Sequence, residues 1–207
     1  MSPRLEPLSR GTLATAPSVC HGCVWWQARG GKAVSKERWI EQTEDSWGAW
    51  GTVYFDDDGR SLGVMQYGPA FLFPLSHRLP AGPASDDAVL VTCAYLVDPA
   101  CPWVIQSLFL AAIGEARSRG VKALEAFAFR YYEQDDFEQR LILHRTIFPH
   151  DLLADLGFVT IRSAGRVQLA RLELGGLEPS AEAEDPGFLA ALKRLWLPSP
   201  VPAPPRP

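Results

Sequence analysis

The sequence predicts a single α/β (α+β) domain, with a mixed, mostly antiparallel sheet, a parallel βαβ unit at its centre and helices on both faces. Three observations predict it. The run "DAVLVTCAYLVDP" is apolar almost without a break, as a strand buried on both faces must be. Residues 104–116 then place apolar pairs four apart, which is a helix, and "VKALEAFAF" follows as a second buried strand. On either side lie β-rich runs joined by turn residues, "GTVYFDDDGRSLGVMQYGP" before the unit and "FVTIRSAGRVQLARLEL" after it.

Residues 1–17 mix Pro, Ser and Thr without periodicity and predict a flexible lead-in, with order beginning near Ser18. "CVWWQ" reads as a strand. Ser35 stands as the cap of a helix over 36–47, in which Trp39, Ile40, Thr43 and Trp47 share one face. The Asp-Gly turn of "FDDDGRS" joins strands over 51–56 and 61–67. The Pro- and Gly-rich stretch 68–86 predicts a long surface excursion, and its "AFLFPL" is apolar enough to cover a groove as a lid. Pro99 ends the central strand, and Arg119-Gly120 ends the helix after it. Strand, helix and strand so spaced require a right-handed crossover between parallel strands. A polar, aromatic segment, 130–145, leads to a short helix in "HDLLADLGF", opened near Asp151 and closed by Gly157. The domain thus spans 18–176. A linker and short helix over 177–197 follow, the helix burying Phe188, Leu189, Leu192 and Trp196, and 198–207 form an extended Pro-rich tail.

Composition narrows the function classes. At 207 residues, 47% hydrophobic and 21% charged, the chain can bury a core that needs neither disulfide nor metal. The net charge of -4 and the absence of a basic run argue against a nucleic-acid partner. Without a long apolar span or a signal core, the expectation is a cytoplasmic protein with no membrane partner. Five of the seven Trp residues, Trp25, Trp26, Trp39, Trp47 and Trp50, crowd the first half and predict an aromatic layer or a ring-lined pocket. Cys20 and Cys23 have the spacing of a shared site, but Cys93 and Cys101 do not repeat it, and zinc needs about four ligands. The expectation is no metal and small buried thiols.

The order of strand, helix, hairpin, long strand, helix, strand, short helix and hairpin resembles the Gcn5-related N-acetyltransferase (GNAT) fold over roughly residues 19–174. The block 87–129 and "DLLADLGF" carry the resemblance. "CHGCVWWQ" with "GVMQYGP" is similar to an actinobacterial subgroup that opens with Cys-x-x-Cys and an aromatic strand. The resemblance implies an N-acyltransferase that moves an acetyl or other acyl group from acyl-CoA to a primary amine, of a small molecule or a protein lysine. It implies a pantetheine arm along the central strand and an oxyanion held by a backbone N–H near Leu96 and Val97. The pyrophosphate would meet the start of the next helix, at Trp103, Val104, Gln106 and Ser107. The family loop, Arg/Gln-x-x-Gly-x-Gly/Ala, uses glycine so that successive N–H groups can converge on one anion. Here "DPACPWVIQS" has no glycine, Pro102 lacks an N–H, and Asp98 adds negative charge, so the loop is degenerate.

The family's acidic Tyr in the short helix falls on Leu153, and Tyr131 and Tyr132 lie earlier, after the second core strand. Glu125 is the candidate catalytic base. Alternation puts it on one face with Ala123, Phe127 and Phe129, an apolar setting suited to taking an amine proton; the competing expectation is an ion pair with Arg117, Arg119, Lys122 or Arg130. Glu133, Asp135 and Asp136 would select a cationic amine or form a solvated face. Cys93 has no His or Asp neighbour in a recognised spacing, so transfer would be direct. Two readings follow: an acyltransferase, or a GNAT-fold interaction module that no longer turns over acyl-CoA. The module reading draws on the Gly-free loop and on Pro-x-x-Pro spacings in the tail that a partner domain would accept. A homodimer through the helix around Leu192 and Trp196 is compatible with either. An open split between the core strands favours the enzyme, and Trp103 lodged in that split favours the module.

Overall fold

The computed structural model describes residues 4–28, 34–98, 101, 103–132 and 147–175. The expectations for Pro102, for Glu133, Asp135 and Asp136, and for the C-terminal helix and tail lie outside the described residues. The elements are β1 (Arg4–Pro7), α1 (Lys36–Ser46), β2 (Gly51–Phe55), β3 (Ser61–Pro69), β4 (Ala88–Leu96), α2 (Trp103–Ser118), β5 (Ala123–Phe129), β6 (Phe148–Pro149), α3 (His150–Asp155), β7 (Val159–Ala164) and β8 (Val167–Glu173). Eight strands make one sheet in the order β1-β2-β3-β4-β5-β8-β7, with β6 beside β5. Only the β4–β5 and β5–β6 pairs are parallel. The predicted fold class is the observed one.

Alternation along the strands sorts side chains onto two cores. On one face Tyr54, Met65, Val89, Val91, Leu124 and Ala126 pack under Val104, Leu108, Phe109 and Ala112 of α2 and Leu152 and Leu153 of α3. On the other, Val53, Val64, Leu90, Phe127 and Leu169 pack under Trp39 and Ile40 of α1 together with Trp26, Trp50 and Phe73. The Ser35 hydroxyl caps α1 by accepting from the Arg38 N–H at 3.2 Å. In the β2–β3 hairpin Gly59 supplies a φ of +79°, and Asp56 Oδ1 accepts from the N–H groups of Asp58 and Arg60 at 3.0 and 2.8 Å.

Three expectations for irregular regions need correction. The lead-in is not loose, because Arg4–Pro7 pairs antiparallel with β2, and the sheet therefore begins well before residue 18. Leu8 explains it: its N–H donates to Gly51 O at 2.8 Å, its carbonyl accepts from Trp50 N–H at 3.0 Å, and its side chain is buried. "CVWWQ" is a helical turn rather than a strand, with Ala28 N–H donating to Val24 O at 2.9 Å. The turn lets Trp26 stack on Phe127 at 5.9 Å while Trp25 stays 41% exposed, a division of labour that a flat strand would not provide. The 68–86 excursion is a packed cover, not a lid. Phe73 is fully buried, Trp39 Nε1 donates to Leu72 O at 2.9 Å, and Arg162 Nη1 donates to Ala81 O and Pro83 O at 3.0 and 2.7 Å.

Candidate functional site

The two core strands run together for four residues and then part. Ala88, Val89, Leu90 and Val91 face Ala123, Leu124, Glu125 and Ala126. Beyond that point β4 continues against β3 as far as Leu96, and β5 continues against β8 as far as Phe129. A bulge marks the parting. Gln66 and Tyr67 of β3 face Cys93 and Val91, so Thr92 is the extra residue that bends β4. Its hydroxyl lies on Gln66 O at 3.0 Å and Gln66 Oε1 at 3.1 Å, within the buried sheet.

The split has unlike walls. Val97 N–H donates to Leu62 O at 2.9 Å, which fixes the direction of every second amide in β4. Tyr95 and Cys93 turn their backbone groups toward β3 as well, and Ala94 and Leu96 turn theirs into the split. Opposite them, β6 takes the edge of β5 at Ala128 and Phe129. Phe148 of β6 is buried with its ring 5.4 Å from that of Phe109, so the wedge is held by the α2-side core.

The structure places the sequence candidates as follows. Among the described residues Leu96 stands on an edge of β4 that no strand pairs. Val97 does not serve as a donor to an oxyanion, because its N–H is committed to Leu62 O, and this corrects the expectation. Trp103 opens α2 with 45% of its surface exposed, so it is not lodged between the strands. Val104 is fully buried, and its N–H donates to Cys101 O at 3.1 Å. Gln106 and Ser107 are half-buried in the first turn, the Ser107 hydroxyl donating to Trp103 O at 3.2 Å. Val104 shares its core with Leu96, which sets the start of α2 near the end of β4.

Glu125 lies elsewhere, in the paired half of the strands opposite Leu90, and it is completely buried. Its carboxyl end is not in apolar company, which corrects the expected setting. Oε2 accepts from Ser85 N–H at 2.7 Å, and Oε1 accepts from Arg171 Nη1 at 3.0 Å. Arg171 also binds both carboxylate oxygens of Asp87, at 2.9 and 3.0 Å, and Glu173 at 2.6 Å. These hydrogen bonds hold the Asp87 carboxyl below its usual range and push the Arg171 guanidinium up. Both Glu125 oxygens are occupied in a sealed ion pair, so it is not a base for an incoming amine. The partner is none of the four cations weighed from sequence. Arg171 sits directly across from Glu125 in the β5–β8 ladder, a register that no local pattern announces.

Leu153 is buried in the core, so the expected acid position carries no acid. Tyr131 and Tyr132 follow β5 at the open end of the split, the first against Phe129 at 5.0 Å and the second under Arg166 at 4.4 Å. All four cysteines are free thiols; Cys23 is exposed and the others are half-buried as residues, although the Cys93 thiol itself lies deep enough for burial to raise its pKa. Among the described residues no group of three or more His, Cys, Asp or Glu side chains is placed to hold a metal ion.

No family model matches the sequence, and no curated protein is similar to it. Several solved structures align with it over most of its length. The spermidine/spermine N-acetyltransferase SpeG from Vibrio cholerae aligns with a TM-score of 0.48 and 13% identity over 84% of this chain and 96% of its own. Ard1 from Thermoplasma volcanium aligns at 0.47 and 10% over 86% and 100%, and a GCN5-related N-acetyltransferase from Kribbella flavida at 0.44 and 15% over 83% and 98%. The chain's own topology, a mixed sheet with one βαβ unit, core strands that part beyond Val91 and Ala126 and a final antiparallel hairpin, is the one expected from the resemblance of the sequence to the GNAT fold.

Proposed function

We propose that the protein is an acyl-CoA-dependent N-acyltransferase, moving an acyl group from the thioester to a primary amine of a small molecule or a protein lysine. One observation carries the proposal: the backbone edge of β4 beyond Thr92, where Ala94 and Leu96 turn away from β3 and have lost β5 as a partner. An extended arm with its own amides, such as pantetheine, pairs with such an edge as an added strand does. The start of α2 supplies the positive end of a helix for the phosphates, with Gln106 and Ser107 in its first turn. Without glycines in the preceding loop, fewer N–H groups converge on that anion. Most of the affinity would then come from the strand edge and the acyl end.

Calorimetric titration with acetyl-CoA and with a longer acyl-CoA tests the reading. Saturable micromolar binding is expected, together with a rise in melting temperature, because ligand at a hundred times its Kd stabilises the folded state by about 2.7 kcal/mol. No heat and no melting shift at millimolar ligand would overturn it.

A further inference from the structure

On the face opposite α2 a small cavity opens beside the splayed half of β4. It has a volume of about 200 Å³ and is walled by Trp25, Trp26, Trp50, Cys93 and Tyr95, with Lys36 at its side. Cys93 and Tyr95 are the β4 residues just past the bulge, so the cavity lies against the stretch whose backbone edge borders the split. Rings and thiols make a wall suited to an apolar body, and the volume falls below the roughly 300–1,000 Å³ of sites for drug-sized ligands. Its occupant is therefore small.

The wall holds one buried cation. Lys36, the first residue of α1, is 7% exposed. Its ammonium donates to Cys23 O at 2.9 Å and rests over the Trp39 ring at 4.7 Å. Among the described residues no carboxylate forms an ion pair with it, and burial pulls its pKa below the ordinary lysine value, although the Cys23, Cys93 and Cys20 thiols nearby act the other way. Among the described residues the indole N–H groups of Trp26 and Trp50 also find no acceptor, but they are closed off from the cavity by burial. A buried ammonium with one carbonyl for company is costly, and a single anionic acceptor relieves it.

From the ring-lined wall and the buried Lys36 ammonium at its side we infer that this cavity binds a small, largely apolar carboxylic acid, its carboxylate on Lys36 Nζ and its body among Trp25, Trp26, Trp50 and Tyr95. Binding here needs no acyl-CoA, so the inference stands or falls separately from the acyltransferase reading.

The test uses the full-length protein and its own tryptophan fluorescence, with isovalerate, hydrocinnamate and their primary amides as probes. At least one carboxylate should quench saturably, with a Kd about tenfold or more below that of its amide, as expected for a hydrogen bond to a charged group. Lys36→Met should bring the carboxylate to the level of the amide and leave amide binding unchanged, while Lys36→Arg keeps a preference for the acid. Trp25→Ala, at the exposed mouth, should weaken acid and amide alike and provides a check independent of the lysine. The inference is overturned if neither acid saturates at millimolar concentration, if acid and amide bind equally, if the preference survives Lys36→Met, or if Trp25→Ala changes nothing.

Discussion

Replacing Glu125 by Gln separates a structural carboxylate from a catalytic one. The wild-type side chain accepts two charge-assisted hydrogen bonds, from Ser85 N–H and Arg171 Nη1, with no solvent to replace either. Gln keeps the shape but only one acceptor oxygen, so its amide NH2 must face a donor. Losing one bond to a charged group costs about 1.5–3 kcal/mol, and the misplaced donor adds about 1 kcal/mol or more. The sum is about 2.5–4 kcal/mol, overlapping the range for breaking a buried pair from one side. For a domain of this size each kcal/mol lowers the melting temperature by about 2–4 °C, so thermal unfolding followed by circular dichroism should show a fall of about 5–16 °C. Asp87 and Glu173 still hold Arg171, which keeps the loss from growing further. The double variant Glu125→Leu with Arg171→Met should recover part of the stability, because a well-packed apolar pair removes the desolvation penalty of both charges. A melting temperature for Glu125→Gln within about 1 °C of wild type would refute the reasoning, and loss of acyl transfer at unchanged stability would return Glu125 to the role of base.

Other consequences of the packing can be checked in the same way. Gly51→Ala should abolish soluble expression or lower the melting point sharply, since a Cβ at Gly51 would stand 2.2 Å from the Met65 carbonyl oxygen; a melt like wild type contradicts the close strand approach. Phe109→Ala should cost about 3–5 kcal/mol in urea unfolding and loosen β6, because the fully buried ring bridges Phe148 and Phe158 at 5.4 and 5.9 Å. The Cys93 thiol is pushed by burial from its ordinary 9.0 up to about 12. Folded protein therefore holds that proton after unfolded chain has lost it, so the contribution of Cys93 is complete below pH 9 and disappears as pH rises toward 12. Cys93→Ala should flatten the alkaline decline of the melting temperature, and an unchanged slope would show that the thiol is not so buried.

The central βαβ unit, the hairpins and α1 were legible because each is written locally, in an apolar run, an Asp-Gly turn or a Ser35 cap with Trp39, Ile40 and Thr43 on one face. Elements that depend on a distant partner were not. Arg4–Pro7 reads as loop until β2 offers it an edge, and "CVWWQ" has strand-like composition but turns so that Trp26 reaches Phe127. The role of Glu125 was illegible for the same reason, since 46 residues separate it from Arg171. Nothing in the unbroken run around Thr92 signals a bulge, yet that residue marks where the core strands part. The ring-lined pocket, by contrast, was foreshadowed by the crowding of tryptophans, whereas the buried Lys36 that gives it a charge preference was not.

The proposed acyl transfer depends most on the edge of β4 beyond Thr92, which has no partner strand among the described residues, and amide hydrogen exchange read residue by residue, with and without acetyl-CoA, tests that edge directly. The amides of Ala94 and Leu96 should exchange faster than those of Tyr95 and Val97 in the free protein and slow markedly on adding acetyl-CoA, as an added strand takes up their hydrogen bonds. Exchange at Ala94 and Leu96 that is already slow, or that acetyl-CoA leaves untouched, would contradict it.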